Sequence, residues 1–541
     1  MGGVYAGMAD STSSRTMIGL GTWMDKVAYR VVERERRLGR SMHMLRTQAG
    51  IGASGIVHIG SMSDSVRAYA ISLAIRNLGY SSEMIQFADD MDGLRSVPAD
   101  IPPETSKHLL QPVSLIPDPF KCHESYAAHV EGILLDGLAR LGVEARLYRG
   151  YEAYSMGLFR EQISRILSRW RDVGRKIEEL TGQSKFLNVM PYFPLCSSCG
   201  RIYTAVAREY EASTGRAPYK CVGVSIKGVW REGCGYEGEA DISKAEGKLS
   251  WKVEWAARWA ALDIRFEAFG KDLADSVKVN DWVSREILGY DPPLHIQYEL
   301  FLDETRKKIS KSKGVSVFTP EVWFRYGAPQ SLVLLLLKRI KGTRIISHRM
   351  IPTLMDELDR LAENYYGGGG ENGKKGLYSY VYFLKPPANK PSSAPYSMLV
   401  ELAMTAPAGG EVEFILSRLS KYGYEVDEEL KARALMALRY YKDFGKPPPK
   451  RPKLDEATLS ALQELVEKLP SIDTADDLQG EVFNVARLHG LQPSSLFQTL
   501  YIALIGQPRG PRLGPFVVED IGKDKALAIL KEFLSAAVSN T

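Results

Sequence analysis

Nine residues, Ala53-Ser54-Gly55-Ile56-Val57-His58-Ile59-Gly60-Ser61, constrain this chain more than any other stretch. They lie between a segment that reads as a strand, Met42 to Ala49, and one that reads as a helix, Ser63 to Leu78, stopped at Gly79. A strand-to-helix turn aims free backbone N–H groups and a helix N-terminus at any anion above it. Gly60 lets a large ligand approach the backbone, and His58 can donate a hydrogen bond to a phosphate oxygen as charge builds there. Alone, such a turn is more often a tight connection with a satisfied imidazole. What shifts the balance is a second stretch, Lys308-Ile309-Ser310-Lys311-Ser312-Lys313-Gly314, whose clustered lysines suit a loop that clamps phosphates. Solvated surface is the competing account of those lysines.

At 541 residues the chain holds material for several domains with real cores. Its net charge of +5 permits a nucleic-acid partner without requiring one. The longest apolar run, Leu332 to Leu337, is far too short to span a bilayer, and the first twenty residues lack a signal-peptide core, so a soluble, cytoplasmic protein is expected. Met1-Gly2-Gly3 begins like a myristoylation site, but Ala6 stands where Ser or Thr is wanted; residues 1–20 read as a flexible extension. Five cysteines without an export signal argue against a disulfide framework. Metal is the better use for them.

From Met42 to Asp100 the pattern is strand, turn, helix, strand. The second strand, Glu83 to Ala88, runs into Asp89-Asp90-Met91-Asp92, at the carboxyl edge where open α/β sheets bind ligands. Those carboxylates either receive a cationic substrate or form a solvated acidic turn. Asp118, Cys122, His123 and His129 offer four ligand types that zinc accepts, at irregular spacing; a buried Cys with two surface histidines is the alternative. Cys196 and Cys199 form a zinc knuckle that Cys221 and Cys234 can close into a structural site, with the stretch between the last two reading as an inserted loop. A redox pair at Cys196 and Cys199 lacks the βαβ context it needs. Trp251, Trp255 and Trp259 place aromatic bulk down one helix face, mostly as core. Gly270 lets an adenine approach, and Asp272 is placed to hold ribose hydroxyls, unless the pair is a plain turn. After a strand from His295 to Leu302 and the lysine loop, the chain reads as helical. Gly367 to Lys375 reads as a flexible surface insertion and Lys446 to Lys453 as a stiff basic linker. Arg509-Gly510-Pro511-Arg512-Leu513-Gly514-Pro515-Phe516 sets arginines beside an aromatic that can stack on unpaired bases, or else caps a helix.

The glycine turn and the lysine loop together resemble the HIGH and KMSKS signatures of class I aminoacyl-tRNA synthetases. The runs FADDMDGLRSVP, SLIPDPFKCHESYAAH, LCSSCGRIYTAV, WKVEWAARWAALDIRFEAFGKD and RKKISKSKG look closer still, like the class I lysyl-tRNA synthetases of archaea and some bacteria. IPTLMDELDRLAENYYG and LHGLQPSSLFQTLYIALIGQPRGPRLGPF extend that resemblance over most of the chain. It implies an α/β Rossmann-type catalytic domain over 21–330 with a zinc-bearing acceptor-stem insertion at about 105–250. A helical stem-contact region, 331–445 with its insertion at 366–376, and an all-α anticodon-binding domain, 454–541, would follow the catalytic part. It also implies ligation of L-lysine to tRNA(Lys) through an adenylate, with ATP and Mg²⁺, zinc at both ligand sets, and no membrane; a monomer is favoured. The site residues implied are Ser54, His58, Gly60, Gly270, Asp272 and Lys311 for ATP, with Lys308, Ser310 and Lys311 acting in catalysis beside His58 and Gly60. Asp89, Asp90, Asp92, Trp251 and Tyr298 are the candidates for holding lysine. Three departures stand out: Ile309 in place of Met, Ser61 as the fourth residue of the HIGH-like motif, and Leu273 where the family usually has His. A glutamyl- or glutaminyl-type ligase and a catalytically silent tRNA-binding relative are the other readings.

Overall fold

The computed structural model describes residues 17–55, 57–304, 306, 319–368, 371–445, 454–505, 508–510 and 512–538. The lysine loop with Lys308, Ile309, Ser310, Lys311 and Ser312, the residue Ile56 and the linker 446–453 therefore lie outside the described residues, as does most of the expected N-terminal extension.

The chain divides into two compact units, the first comprising 1–320, 333–346 and 367–386, the second 321–332, 347–366 and 387–541. The first is built on a five-stranded, wholly parallel sheet. Helix α1 (Trp23–Arg37) begins at a reciprocal cap, in which Thr22 accepts from the Asp25 N–H and Asp25 accepts from the Thr22 N–H. Then come β1 (Leu45–Ile51), α2 (Ile59–Asn77), β2 (Ser82–Ala88), α3 (Tyr126–Leu141) and β3 (Arg146–Arg149). Helices α4 (Gly150–Ser155), α5 (Arg160–Ser168) and α6 (Trp170–Thr181) lead into an excursion of short antiparallel strands. These are β4 (Tyr192–Pro194), β5 (Ala205–Ala207), β6 (Arg216–Cys221), β7 (Gly223–Ile226), β8 (Val229–Glu232), β9 (Glu237–Asp241) and β10 (Gly247–Leu249). The chain returns to the sheet through α7 (Trp251–Leu262), β11 (Ile264–Gly270), α8 (Ala274–Trp282) and β12 (Leu294–Tyr298).

The sheet order is β12-β11-β1-β2-β3. Successive strands leave β1 in opposite directions, so the switch point lies between the carboxyl ends of β1 and β11, where open parallel sheets bind ligands. Burial on both faces explains why β11 is buried at every position and why neither it nor β1 alternates cleanly.

Two sequence expectations change here. Residues 372–381 form a helix rather than a flexible insertion, and Gly376 lies so close to Leu20 that an added Cβ would come 2.3 Å from its carbonyl oxygen. The Tyr380 hydroxyl then donates to the buried Asp25 at 2.6 Å, and Trp23 Nε1 donates to the Leu337 carbonyl at 2.7 Å. Residues 333–346 and 367–386 thus belong with the parallel sheet, not with a separate stem-contact region. The second unit is helical, with long helices at Met350–Tyr366, Glu428–Phe444, Glu456–Lys468, Ala475–Leu488 and Lys523–Val538, among others. Its interior is aliphatic, with Leu354, Leu399, Ile415, Leu430, Leu462 and Val482 all buried.

Candidate functional site

His58 is the N-cap of α2: its Nδ1 accepts the Ser61 backbone N–H at 3.0 Å. Because that nitrogen is an acceptor, the ring hydrogen resides on Nε2. Gly60 has a more local reason than ligand access, since an added Cβ would sit 2.9 Å from His58 Cε1 and Nδ1 and push the imidazole out of place.

A cavity of about 360 Å³ opens at the switch point. Gly50, Ile51 and Gly52 at the end of β1 line it, together with His58, Gly60, Ser61 and Asp64 of the turn and α2. Trp251, Asp272, Leu273, Tyr298, Leu300 and Phe301 close the other side. The structure therefore brings His58, Gly60, Ser61, Asp272, Trp251 and Tyr298 to one place. Ala53, Ser54, Gly55 and Val57 do not line it; the Ser54 carbonyl is held from below by the Tyr126 hydroxyl at 3.3 Å. Gly270 abuts the cavity without lining it, and a Cβ there would come 2.8 Å from the Asp272 carboxylate and 3.1 Å from Leu300.

Asp64 is the residue that sequence reading missed. It lies one helical turn beyond Gly60, with its side chain 24% exposed, 3.9 Å from the buried guanidinium of Arg67. Arg67 in turn stacks on the Tyr298 ring at 4.3 Å. Burial pushes the Asp64 carboxyl up to about 7, against the pull of Arg67. The spacing of four between Gly60 and Asp64 is the signal that could have found it.

The acidic run after β2 does something else. Asp89 is paired with Arg258, which also meets Glu254 at 3.2 Å; Lys248 lies 3.0 Å from Glu254 and 2.7 Å from Asp92. Asp90 accepts the Tyr151 backbone N–H at 2.7 Å. Asp89, Asp90 and Asp92 are thus engaged by internal partners and do not line the cavity, which corrects the expectation that they receive a cationic substrate. A buried carboxylate must be paired, and here α7 and β10 supply the cations.

Both candidate metal sets assemble. The four sulfurs of Cys196, Cys199, Cys221 and Cys234 lie within 4.8 Å of one another, with Cys196–Cys234 at 3.5 Å and Cys199–Cys221 at 3.9 Å. Thiolates about 2.3 Å from a tetrahedral zinc are about 3.8 Å apart, so this spacing fits metal ligation and is too long for a disulfide. Asp118, Cys122, His123 and His129 converge likewise, with Cys122 Sγ 3.1 Å and 3.2 Å from the Nδ1 atoms of His123 and His129. Burial opposes ionisation of Asp118, but the backbone N–H groups of Phe120, His123 and Cys122 overcome it and hold the carboxyl at about 2. The stretch between Cys221 and Cys234 is a β-hairpin, not a loop.

At the far end of the chain, Phe516 is buried and packs edge-on against Phe414 at 5.7 Å, while Arg512 pairs with Asp476 at 2.8 Å. This aromatic cannot stack on a base as expected.

The sequence model of the family described as "tRNA synthetases class I (K)" matches residues 21–384. The chain is 45% identical over 522 residues to a lysine–tRNA ligase of Cenarchaeum symbiosum (strain A), covering 95% of this chain and 99% of that protein. It is 29% identical over 483 residues to a lysine–tRNA ligase of Rickettsia felis, covering 87% and 89%. No described helix is long and apolar enough to cross a membrane. With the parallel sheet, the switch-point cavity and the histidine-capped turn in place, this chain belongs to the class I (K) tRNA synthetases.

Proposed function

We infer that the chain ligates L-lysine to tRNA(Lys) through a lysyl-adenylate, releasing diphosphate and then AMP. The observation that carries this is the switch-point cavity, whose lining among the described residues includes the carboxylates Asp64 and Asp272 and no Lys or Arg. Such a cavity suits an ammonium side chain and disfavours glutamate. The 45% identity with a lysine–tRNA ligase supports the same reading. Asp64, backed by Tyr298, receives the ε-ammonium, and Asp272 meets the ribose hydroxyls of ATP. ATP enters as its magnesium complex. The lysine carboxylate attacks the α-phosphorus in line, His58 Nε2–H bonds the phosphate oxygens as charge shifts, and Lys308 and Lys311 neutralise the departing diphosphate. A ribose hydroxyl of the tRNA's terminal adenosine then attacks the adenylate carbonyl and AMP leaves. Charging of a tRNA(Lys) transcript tests this: lysine should be esterified, and a transcript that accepts only another amino acid would overturn it.

The two metal sets are assigned as zinc sites with a structural role, the four cysteines holding the antiparallel excursion together and Asp118, Cys122, His123 and His129 fastening the loop before α3. Replacing Cys199 with serine is expected to lower bound zinc by one ion per chain, read by atomic emission. Unchanged metal content would remove the assignment.

Gly60→Ala is expected to slow adenylation by about 10-fold or more, because the new Cβ displaces the imidazole from its bond to Ser61. Lysine-dependent ATP–pyrophosphate exchange measures it, with helicity by circular dichroism unchanged.

A further inference from the structure

The hairpin β7–β8 between Cys221 and Cys234 has two unlike faces. Val224 and Ile226 pack onto a small buried cluster of Leu110, Ile202 and Tyr203. Trp230 pairs across the ladder with Ser225, on the alternate face. Trp230 as a residue is 54% exposed. One ring edge lies against the partner strand, close enough that a Cβ on Gly223 would come 2.8 Å from Trp230 Cζ2. Of the exposed large apolar side chains in the two strands, Val229 pairs with Ile226 on the packed face, whereas Trp230 stands on the other.

The hairpin is also held rigidly. Its turn has Lys227 at φ 52° and Gly228 at φ 79°, the left-handed pair that matches strand twist, and its base is tied by Val222 and Gly223 N–H groups to the Thr204 carbonyl at 2.9 and 3.1 Å. Around it stand Arg201, Lys227 and Arg231, none with a carboxylate partner among the described residues, against Glu232 alone within the hairpin. Beneath it, the Tyr203 hydroxyl meets Asp92 at 3.2 Å and Gly93 N at 3.1 Å, and Lys227 reaches Ser96 at 3.4 Å. The hairpin therefore stands over the loop that leaves the carboxyl end of β2, the sheet edge at which the cavity opens.

An open indole on a stiff support, flanked at the ligand edge by cations with no carboxylate partner among the described residues, matches the chemistry by which proteins hold single-stranded nucleic acid: π-stacking on a base face with cations on the backbone. We propose that Trp230 is a stacking platform for an unpaired nucleobase at the 3′ end of the tRNA. This rests on the tRNA-ligase reading above. Stacking uses the π-face that every base has, so the platform is indifferent to base identity.

The test compares wild-type protein with Trp230→Ala and Trp230→Phe. Trp230→Ala is expected to raise KM for tRNA by about 10-fold or more, with Trp230→Phe recovering most of the loss. Lysine-dependent ATP–pyrophosphate exchange at saturating tRNA, and bound metal, should match wild type in both. Binding of a tRNA lacking its unpaired 3′ nucleotides should be equal in all three proteins. An unchanged KM for tRNA in Trp230→Ala, or an equal loss on full and shortened tRNA, overturns the platform while leaving the ligase reading intact. A change in sedimentation coefficient on Trp230→Ala with KM for tRNA unchanged would give the face to a second copy of the chain instead. Failure of the wild type to esterify lysine onto tRNA(Lys) removes the ligase reading and the platform with it.

Discussion

His58→Asn is expected to lower the rate of lysine adenylation by about 10² to 10³-fold while leaving the protein folded. The histidine does two jobs that this substitution separates. Through Nδ1 it caps α2 by accepting the Ser61 N–H at 3.0 Å, and its ring lines the cavity. Asparagine is as good an N-cap as any residue, so the helix start survives. Its shorter side chain cannot bring a donor to the place of the imidazole Nε2. His58→Ala removes both functions and should add about 1 kcal/mol of destabilisation to the same kinetic defect. Pre-steady-state adenylate formation with a thermal melt of each variant measures the pair. A His58→Asn enzyme with a wild-type adenylation rate would show the ring to be a cap and nothing more.

Asp64→Asn is expected to raise KM for lysine by about 10²-fold or more, because it leaves an ammonium without its counter-charge in a partly desolvated site. The pH dependence gives a second handle. Burial lifts the free protein's Asp64 carboxyl to about 7, so below that pH the group is protonated and neutral. Lysine binding requires the ionised form, so affinity rises as pH rises through about 7 and levels off above it, with a proton released on binding. In Asp64→Asn that titration disappears and the affinity is low and flat. Calorimetry of lysine binding in buffers of different ionisation enthalpy reads both the affinity and the proton. A variant that keeps the wild-type pH profile would move the ammonium site elsewhere.

Where local chemistry decides the structure, the sequence was readable. The strand, turn and helix around His58 follow from spacing alone, although the helix begins at Ile59 rather than Ser63, because histidine is an uncommon cap and conceals the start. The convergence of the four cysteines was readable because a Cys-x-x-Cys pair followed by two further cysteines is a spacing typical of ligand sets. Non-local partners were not readable. Asp89 and Asp92 resemble a substrate site until Arg258 and Lys248, more than 150 residues downstream, are seen to face them. Phe516 looked available to a base until Phe414 covered it. Asp64 was hidden in a helix read as scaffold, since a carboxylate one turn past a glycine has no mark in composition. The stretch Cys221–Cys234 reads as a loop by length, yet Val224 and Ile226 alternate ahead of a Lys227-Gly228 turn, which is a hairpin signal.

The central claim is that one cavity, bounded by the histidine-capped turn and Asp64, activates lysine with ATP. ATP–pyrophosphate exchange, run in the presence of tRNA(Lys) with each of the twenty amino acids in turn, tests it without any variant. Exchange with lysine alone is the expected result. Exchange with glutamate or glutamine, or with none of the twenty, would contradict it.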